Sequence, residues 1–248
     1  MFDKYSKIFD VRGHQYHQAM AEQPNVRDQE FNNIVRIADL KEGISVFDIP
    51  SGGGYLFNYI EYDTDFTQVE TSKAFYDYAN KNAGVDNLYC EDIAKLPIAD
   101  EKIDRIISLA GLHHIEDRMP FYREAKRVLS NDGLLCIADV LEGTGADRFL
   151  NMFVDENSSE GHKGLFINQS DIQQIENAGF IVNKSEIVDY FWCFDNVENM
   201  VDYSKKMFGV NQCSDENILK GIEKYLGYKV VGGEVQMNWS LYFIQAKA

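Results

Sequence analysis

The sequence predicts an α/β protein: a doubly wound, mostly parallel seven-stranded sheet with N-terminal helices and a helical cap before the last strand. Three observations predict it. Short apolar runs alternate with helical stretches from Ile44 to Val140, the rhythm of strand–helix–strand units. The first run passes through Gly52, Gly53 and Gly54 into the next stretch. Two acids, Asp48 and Glu70, stand at the ends of the first two runs.

Residues 1–42 read as amphipathic helix, with Tyr5, Phe9, Tyr16 and Phe31 among charged neighbours. Strands are expected near 44–49, 65–70, 87–91, 103–109 and 133–139, and helices near 53–61, 72–83 and 118–130. The third helix has Asp117 as an expected N-cap, Pro120 in its first turn and Asn131-Asp132-Gly133 after its end. Residues 141–168 hold four glycines and predict a long loop with a short helix. Ser170 and Gln173 stand at capping-box spacing for a helix over 169–178, which stops at Gly179. A strand over 180–188, two helices within 195–226 and a last strand near 235–246 complete the chain. We read residues 1–248 as one domain, with 1–42 as a helical cover and 189–230 as the cap.

Composition narrows the function. Forty Asp and Glu against 24 Lys and Arg give a net charge of −16, which disfavours a nucleic-acid partner, since such binders need basic surface. No apolar run approaches the roughly 20 residues that span a bilayer, and MFDKYSKIFD lacks the apolar core of a signal peptide. A soluble, cytoplasmic protein with no membrane partner is expected. Cys90, Cys136, Cys193 and Cys213 are too scattered for a zinc framework or a disulfide scaffold, and no metal site is expected.

Chemistry enters at VFDIPSGGGYL, residues 46–56. Glycines after a buried parallel strand let a ligand approach the backbone, and free N–H groups at a helix start favour nucleotide-like cofactors. Glu70 falls where a ribose-binding carboxylate is expected. Further pieces follow in order: Asp92 in YCEDIAKLPIADEKID, the segment IISLAGLHHI, the unit KRVLSNDGLLCIADV and the final EVQMNWSLYFIQAKA. Together they resemble the class I S-adenosylmethionine-dependent methyltransferases of the small-molecule type, whose fold is Rossmann-like.

The resemblance implies S-adenosylmethionine as cofactor and assigns residues to it. Asp48, Pro50, Ser51, Gly52 and Gly54 match the acid-x-Gly-x-Gly-x-Gly turn. Glu70, followed by Thr71, matches the acid on the ribose hydroxyls. Asp92 matches the acid near the adenine amino group, and Ile93 is placed to cover the adenine face. Leu109 and Ala110 end the fourth strand, and Tyr16 is expected to close over the cofactor. Two departures stand out: Pro50 replaces the first glycine, where it forbids positive φ, and Ser-Asn-Asp-Gly replaces Lys-Pro-Gly-Gly before the fifth strand. We expect the turn to tolerate negative φ at Pro50.

Methyl transfer needs a nucleophile about 3–3.5 Å from the methyl carbon and in line with the departing sulfur. His114, His113 and His162 are the candidate catalytic residues, as acceptors of the nucleophile's proton. His14 and His17 read as helix-surface positions. The aromatic residues between Asp189 and Gly227 read first as core, with some lining a pocket for a small apolar or aromatic acceptor. No Asn-Pro-Pro-Tyr-like motif follows the fourth strand, which disfavours DNA-base or glutamine methylation. Asp139 alone does not supply the oxygen cluster of a Mg²⁺-dependent catechol type. Three alternatives stay open: the same cofactor serving a non-methylating reaction, a non-enzymatic regulator, and a nicotinamide-dependent oxidoreductase. The last is weakened by Phe57, which stands where a third glycine belongs.

Overall fold

Alternate residues along the central strands serve two different cores. Val46, Ile107, Cys136 and Ala138 belong to one apolar cluster, while Phe47, Ile106, Leu135 and Ile137 belong to another on the opposite face. Period-2 side-chain alternation in a sheet covered on both sides requires this division. The computed structural model describes residues 3–80 and 85–248, without the side chains of residues 3–6. The side chain of Tyr5 and the expected helix end at 81–83 lie outside what is described.

Two helices come first, α1 (Asp3–Glu22) and α2 (Asp28–Ala38). Strands β1 (Ser45–Asp48), β2 (Asp65–Glu70), β3 (Asp86–Tyr89), β4 (Ile103–Leu109) and β5 (Leu129–Asp139) run parallel, with α3 (Lys73–Ala79) and α4 (Met119–Val128) between them. After β5, two short helices, α5 (Gly145–Arg148) and α6 (Asp155–Asn157), flank a π-helical stretch at Phe149–Val154. Then come α7 (Gln169–Asn177), β6 (Ile181–Phe194), α8 (Val197–Phe208), α9 (Asp215–Tyr225), β7 (Tyr228–Val231) and β8 (Glu234–Lys247). The sheet order is β3-β2-β1-β4-β5-β8-β6, with β8 antiparallel to β5 and β6, and β7 hairpinned onto β8.

The mostly parallel, doubly wound sheet matches the expected fold class, and it differs in count by the short β7. Other differences have local causes. The stretch 53–61 forms only a 3-10 turn, Tyr55–Tyr59, because Gly52, Gly53 and Gly54 all take positive φ. β5 begins at Leu129, directly after α4 ends at Val128, so Asn131-Asp132-Gly133 lies beyond the helix as expected but within the strand. Asp117 accepts from the Met119 N–H at 3.1 Å, but the N-cap position falls on Arg118. The capping box is Asn168 with Asp171, not Ser170 with Gln173. β6 continues to Phe194, so the helices after it start at Val197, later than the expected cap boundary of 189.

That long strand matters for the site. In β8, Tyr242 pairs with Asp139, and Glu234–Leu241 therefore overhang the tips of the parallel strands. Val188–Phe194 of β6 pair with that overhang and extend it. Tyr190, Trp192, Phe194, Met237, Trp239 and Leu241 are buried on one face of it.

Candidate cofactor and acceptor site

A cavity of about 790 Å³, counting its mouth, opens at the carboxyl ends of β1, β4 and β5, where ligands bind in open α/β sheets. One end is the turn after β1, through Pro50 and Gly52; the far end is an aromatic wall of Trp192, Phe208 and Trp239. Phe9, Arg12 and Tyr16 of α1 form the cover. Their ring neighbour Phe75 of α3 closes the side.

The turn is built from backbone bonds. Ser51 N–H donates to Val69 O at 3.0 Å and Gly54 N–H to Ser51 O at 3.0 Å. Glu70 is buried and accepts from the N–H groups of Gly52 (2.9 Å), Thr71 (2.7 Å) and Ser72 (2.8 Å). The glycines divide by role. A Cβ on Gly53 would strike His17, and one on Gly54 would strike Gln68, so those two are required by packing. A Cβ on Gly52 would meet only the Tyr16 hydroxyl, at 3.9 Å, and would project into the open site. Asp48 Oδ2, Ser51 Oγ and Thr71 Oγ1 are buried without partners. Asp48 is held well above the ordinary carboxyl range, first by burial and then by the Glu70 charge. An open glycine cradle ringed by unpartnered polar atoms fits a ligand rich in hydroxyl and amino groups, as S-adenosylmethionine is.

The other end is histidine. His113 and His114 sit on a 3-10 turn, Leu112–His114, just after β4. Arg118 Nε donates to Leu112 O at 3.1 Å and the same guanidinium pairs with buried Asp171, so α7 fixes this turn. His162 arrives from the loop after α6. Leu165 N–H donates to His113 O at 2.8 Å, and Asn151 clamps Gly164 by accepting from its N–H (2.7 Å) and donating to its carbonyl (2.9 Å). The His113 and His114 ring centres lie 4.1 Å apart, and His162 is 5.5 Å from His113 and 5.9 Å from His114. Burial, then His113, His162 and Arg12, push His114 well below the usual imidazole range. Burial, then His113 and Arg12, do the same to His162. Both are neutral at pH 7.

The cavity thus brings together Tyr16, Pro50, Gly52, Leu109, Ala110 and all three histidines. Asp48 and Ser51 line a smaller recess that shares Tyr16, Pro50 and Gly52 with it. Ala110 has φ +50°, a strained conformation for a residue with a Cβ, where β4 turns into the histidine segment. Gly54, Glu70, Thr71, Asp92 and Ile93 line neither space, although Glu70 lies directly behind the turn through its bond to Gly52 N–H. Asp92 is half exposed, accepts from Ala94 N–H at 3.1 Å and pairs with Lys95; Ile93 is buried in the core cluster that also holds Phe75 and Leu96. His17 is not a surface residue: it is buried, with Nδ1 2.8 Å from the Tyr55 hydroxyl and its ring stacked on Tyr78.

Four polar residues in or behind the walls escape a reading of the sequence. Arg12 is 7% exposed, donates to Met207 O at 3.0 Å and leaves Nε unpartnered; burial draws its pKa down to about 10 against the pull of Glu160. Arg27 and Glu30 form a buried pair, and Glu30 also accepts from the Tyr190 hydroxyl (2.8 Å) and Trp192 Nε1 (3.0 Å). Asp139 holds His113. Charged residues on a helix read as solvated, and the only signal for Arg27 and Glu30 is their i, i+3 spacing.

Residues 47–137 match the methyltransferase domain family. No protein of curated function matches the chain in sequence. Among solved structures, a candidate methyltransferase from Bacillus halodurans superposes with a TM-score of 0.64 at 20% identity, over 88% of this chain and 98% of that one. A Haloferax volcanii complex of the Trm112 methyltransferase activator with a candidate methyltransferase gives 0.63 at 13% identity, over 97% and 96%. A Thermotoga maritima S-adenosylmethionine-dependent methyltransferase, described as a possible histamine N-methyltransferase, gives 0.61 at 15% identity, over 98% of each chain.

Proposed function

We propose, from the premise that this chain belongs to the class I S-adenosylmethionine-dependent methyltransferases, that it transfers a methyl group to a small apolar or aromatic molecule by in-line displacement. The observation that carries this reading is the single cavity running from the Gly52 turn, past three histidines, to the Trp192–Trp239 wall. S-adenosylmethionine, when bound, supplies a methyl carbon already activated by its sulfonium.

The chain's tasks are then to hold two molecules in line and keep water away. At the cofactor end, we assign Glu70 and Thr71 to the sugar, and Asp48, Ser51 and the Gly52 backbone to the amino-acid portion. Pro50, Leu109, Ala110 and Tyr16 would pack around it. Asp92 and Ile93 have no cavity contact to support an adenine role. At the acceptor end, Trp192, Phe208 and Trp239 offer ring faces stacked with centres 4.5–5.8 Å apart, a surface suited to a flat apolar body. His114 and His162, neutral and facing the cavity, can accept a hydrogen bond from the acceptor's nucleophilic atom and provide for loss of its proton. We read the whole chain, 1–248, as one functional unit, with the helices at 1–42 as its cover and those within 189–230 supporting the aromatic wall. No helix among the described residues is long and apolar enough to cross a membrane, and a cytoplasmic location forms part of this proposal.

The test has two stages. Titration calorimetry with S-adenosylhomocysteine and with NADH should show heat of binding for the first alone; tight binding of NADH alone overturns the assignment. Radiolabelled S-adenosylmethionine is then incubated with a panel of phenols, aromatic amines and imidazoles. Label in an organic acceptor is expected, and cofactor binding without transfer to any member overturns the aromatic-acceptor reading.

A further inference from the structure

We infer that His113, His114 and His162 form a binding site for one divalent transition-metal ion of the zinc class, at the acceptor end of the cavity. The inference rests on the proposed function for what faces the metal, and on the side chains alone for the metal itself. One ring nitrogen from each histidine lies within 4.8 Å of the other two. Among the described residues, no other group of three His, Cys, Asp or Glu side chains comes together in this way.

Proximity of imidazoles is not sufficient, because a ligand histidine must be held with its metal-binding nitrogen unprotonated and turned to the ion. A partner on the other ring nitrogen does that, and carboxylates and carbonyl oxygens are the usual partners. His113 Nδ1 lies 2.7 Å from Asp139 Oδ1, a buried carboxylate, which fixes the proton on Nδ1 and leaves Nε2 as a lone-pair donor. His162 Nδ1 lies 3.3 Å from Asn151 Oδ1, the weaker counterpart of the same arrangement. The backbone bond from Leu165 to His113 joins the two histidine-bearing segments, which are remote from each other in the chain.

Zinc–imidazole bonds of about 2.0–2.1 Å set nitrogens about 3.4 Å apart in a tetrahedral site, so the three rings must draw in by about 1 Å. Three imidazoles suit zinc, copper, iron or nickel and not magnesium or calcium, which require oxygen. Three protein ligands with a fourth position facing a cavity is the arrangement of a catalytic site rather than a closed structural one.

Arg12 lines the same space, and Arg27 and Glu30, which also line it, pair with each other. Two cations facing one cavity favour an anionic occupant. The fitting ligand is therefore an ionised oxygen on an aromatic or enolic body. On binding, its O–H bond breaks with the electron pair kept by oxygen, the proton passes to water, and nothing is oxidised or reduced. With their lone pairs on the metal, His114 and His162 would no longer accept that proton themselves; the metal would instead lower the pKa of the hydroxyl as it does for bound water.

The test uses the full chain, stripped with a chelator and dialysed. Competition of Zn²⁺ against a chromophoric chelator should give one ion per chain, and Co²⁺ should develop the visible bands of a four-coordinate nitrogen site. His162→Ala should weaken Zn²⁺ at least 10-fold while S-adenosylhomocysteine affinity and melting temperature hold, since His162 sits on a half-buried loop away from the glycine turn. Asp139→Asn should weaken Zn²⁺ by about 10–100-fold through His113. Substoichiometric Zn²⁺, or stoichiometric Zn²⁺ unchanged by His162→Ala, overturns the inference. Cofactor binding without metal refutes this site and spares the proposed function; metal binding without cofactor binding does the reverse.

Discussion

Asp139 holds His113 at two points: its Oδ1 lies 2.7 Å from the imidazole Nδ1, and its Oδ2 accepts from the His113 backbone N–H at 3.1 Å. Oδ1 also accepts from Val140 N–H at 2.8 Å. Burial raises this carboxyl, but the neighbouring His113 imidazole and its hydrogen bond, with Arg118 and the Val140 N–H, outweigh it and hold it below the ordinary range. The folded state therefore binds fewer protons here than the unfolded chain. The stability this contributes is present above about pH 4 and is lost as pH falls through the folded value. Asp139→Asn should cost about 1.5–3 kcal/mol in urea unfolding at pH 7, the range for hydrogen bonds to a charged group.

Gly52→Val should weaken S-adenosylhomocysteine binding at least 10-fold, about 1.4 kcal/mol, by calorimetry. The added side chain enters the open cradle, and it also takes a left-handed φ of +56° that suits glycine. A melting temperature lowered with affinity intact would remove Gly52 from the cofactor surface.

Glu70→Ala should damage the fold as well as the cofactor site. Three backbone N–H groups lose their acceptor, and each that is left buried and unsatisfied costs about 1–3 kcal/mol. Glu70→Gln should recover part of the stability and less of the affinity. Urea midpoints and S-adenosylhomocysteine titrations on both variants check this.

The histidine pair sets a separate acid limb. His114 and His162 are depressed in the folded state, while unfolded imidazoles titrate near pH 6.5. Their neutral burial leaves stability intact above about pH 6.5 and erodes it as pH falls towards their folded values. His162→Gln should make this limb shallower by up to about 1.4 kcal/mol per pH unit, one proton's worth. Urea melts between pH 8 and 4.5 measure the slopes, and identical slopes would contradict the neutral assignment.

Asp48 has the opposite sign. Its carboxyl is raised by burial and by Glu70, so the folded state keeps a proton that the unfolded chain releases above about pH 4. The stability linked to this proton is complete below that pH and is lost as pH rises through the folded value. Asp48→Asn should raise the melting temperature at pH 7 without ligand, by about 2–4 °C for each kcal/mol relieved. It should weaken cofactor binding at the same time, a trade expected where a site stores unfavourable burial.

The legible parts of the chain were those in which one local pattern matched one structural outcome. The apolar runs ending at Asp48, Glu70, Leu109 and Asp139 are strands because their apolar residues divide between cores on the two faces. The histidines could be placed on the rim because the end of β4 leads there. Legibility fails where a distant partner decides. His17 reads as surface until Tyr55 and Tyr78 enclose it. Arg12 reads as a solvated helix cation, although Gly209 lacks the Cβ that would otherwise collide with its guanidinium. The stretch Asp189–Phe194 reads as cap because aromatics crowd it, yet thirteen register pairs with β8 hold β6 extended.

The overhang of β6 and β8 beyond the parallel strands has an evolutionary corollary. Under the proposed function, acceptor selectivity would be written largely on strands, whose period of two means that a one-residue slip would turn Trp192 and Trp239 outward. A new specificity must then arise by exchanging side chains on a fixed lattice. Lengthening or shortening the connecting segments would leave that lattice as it is.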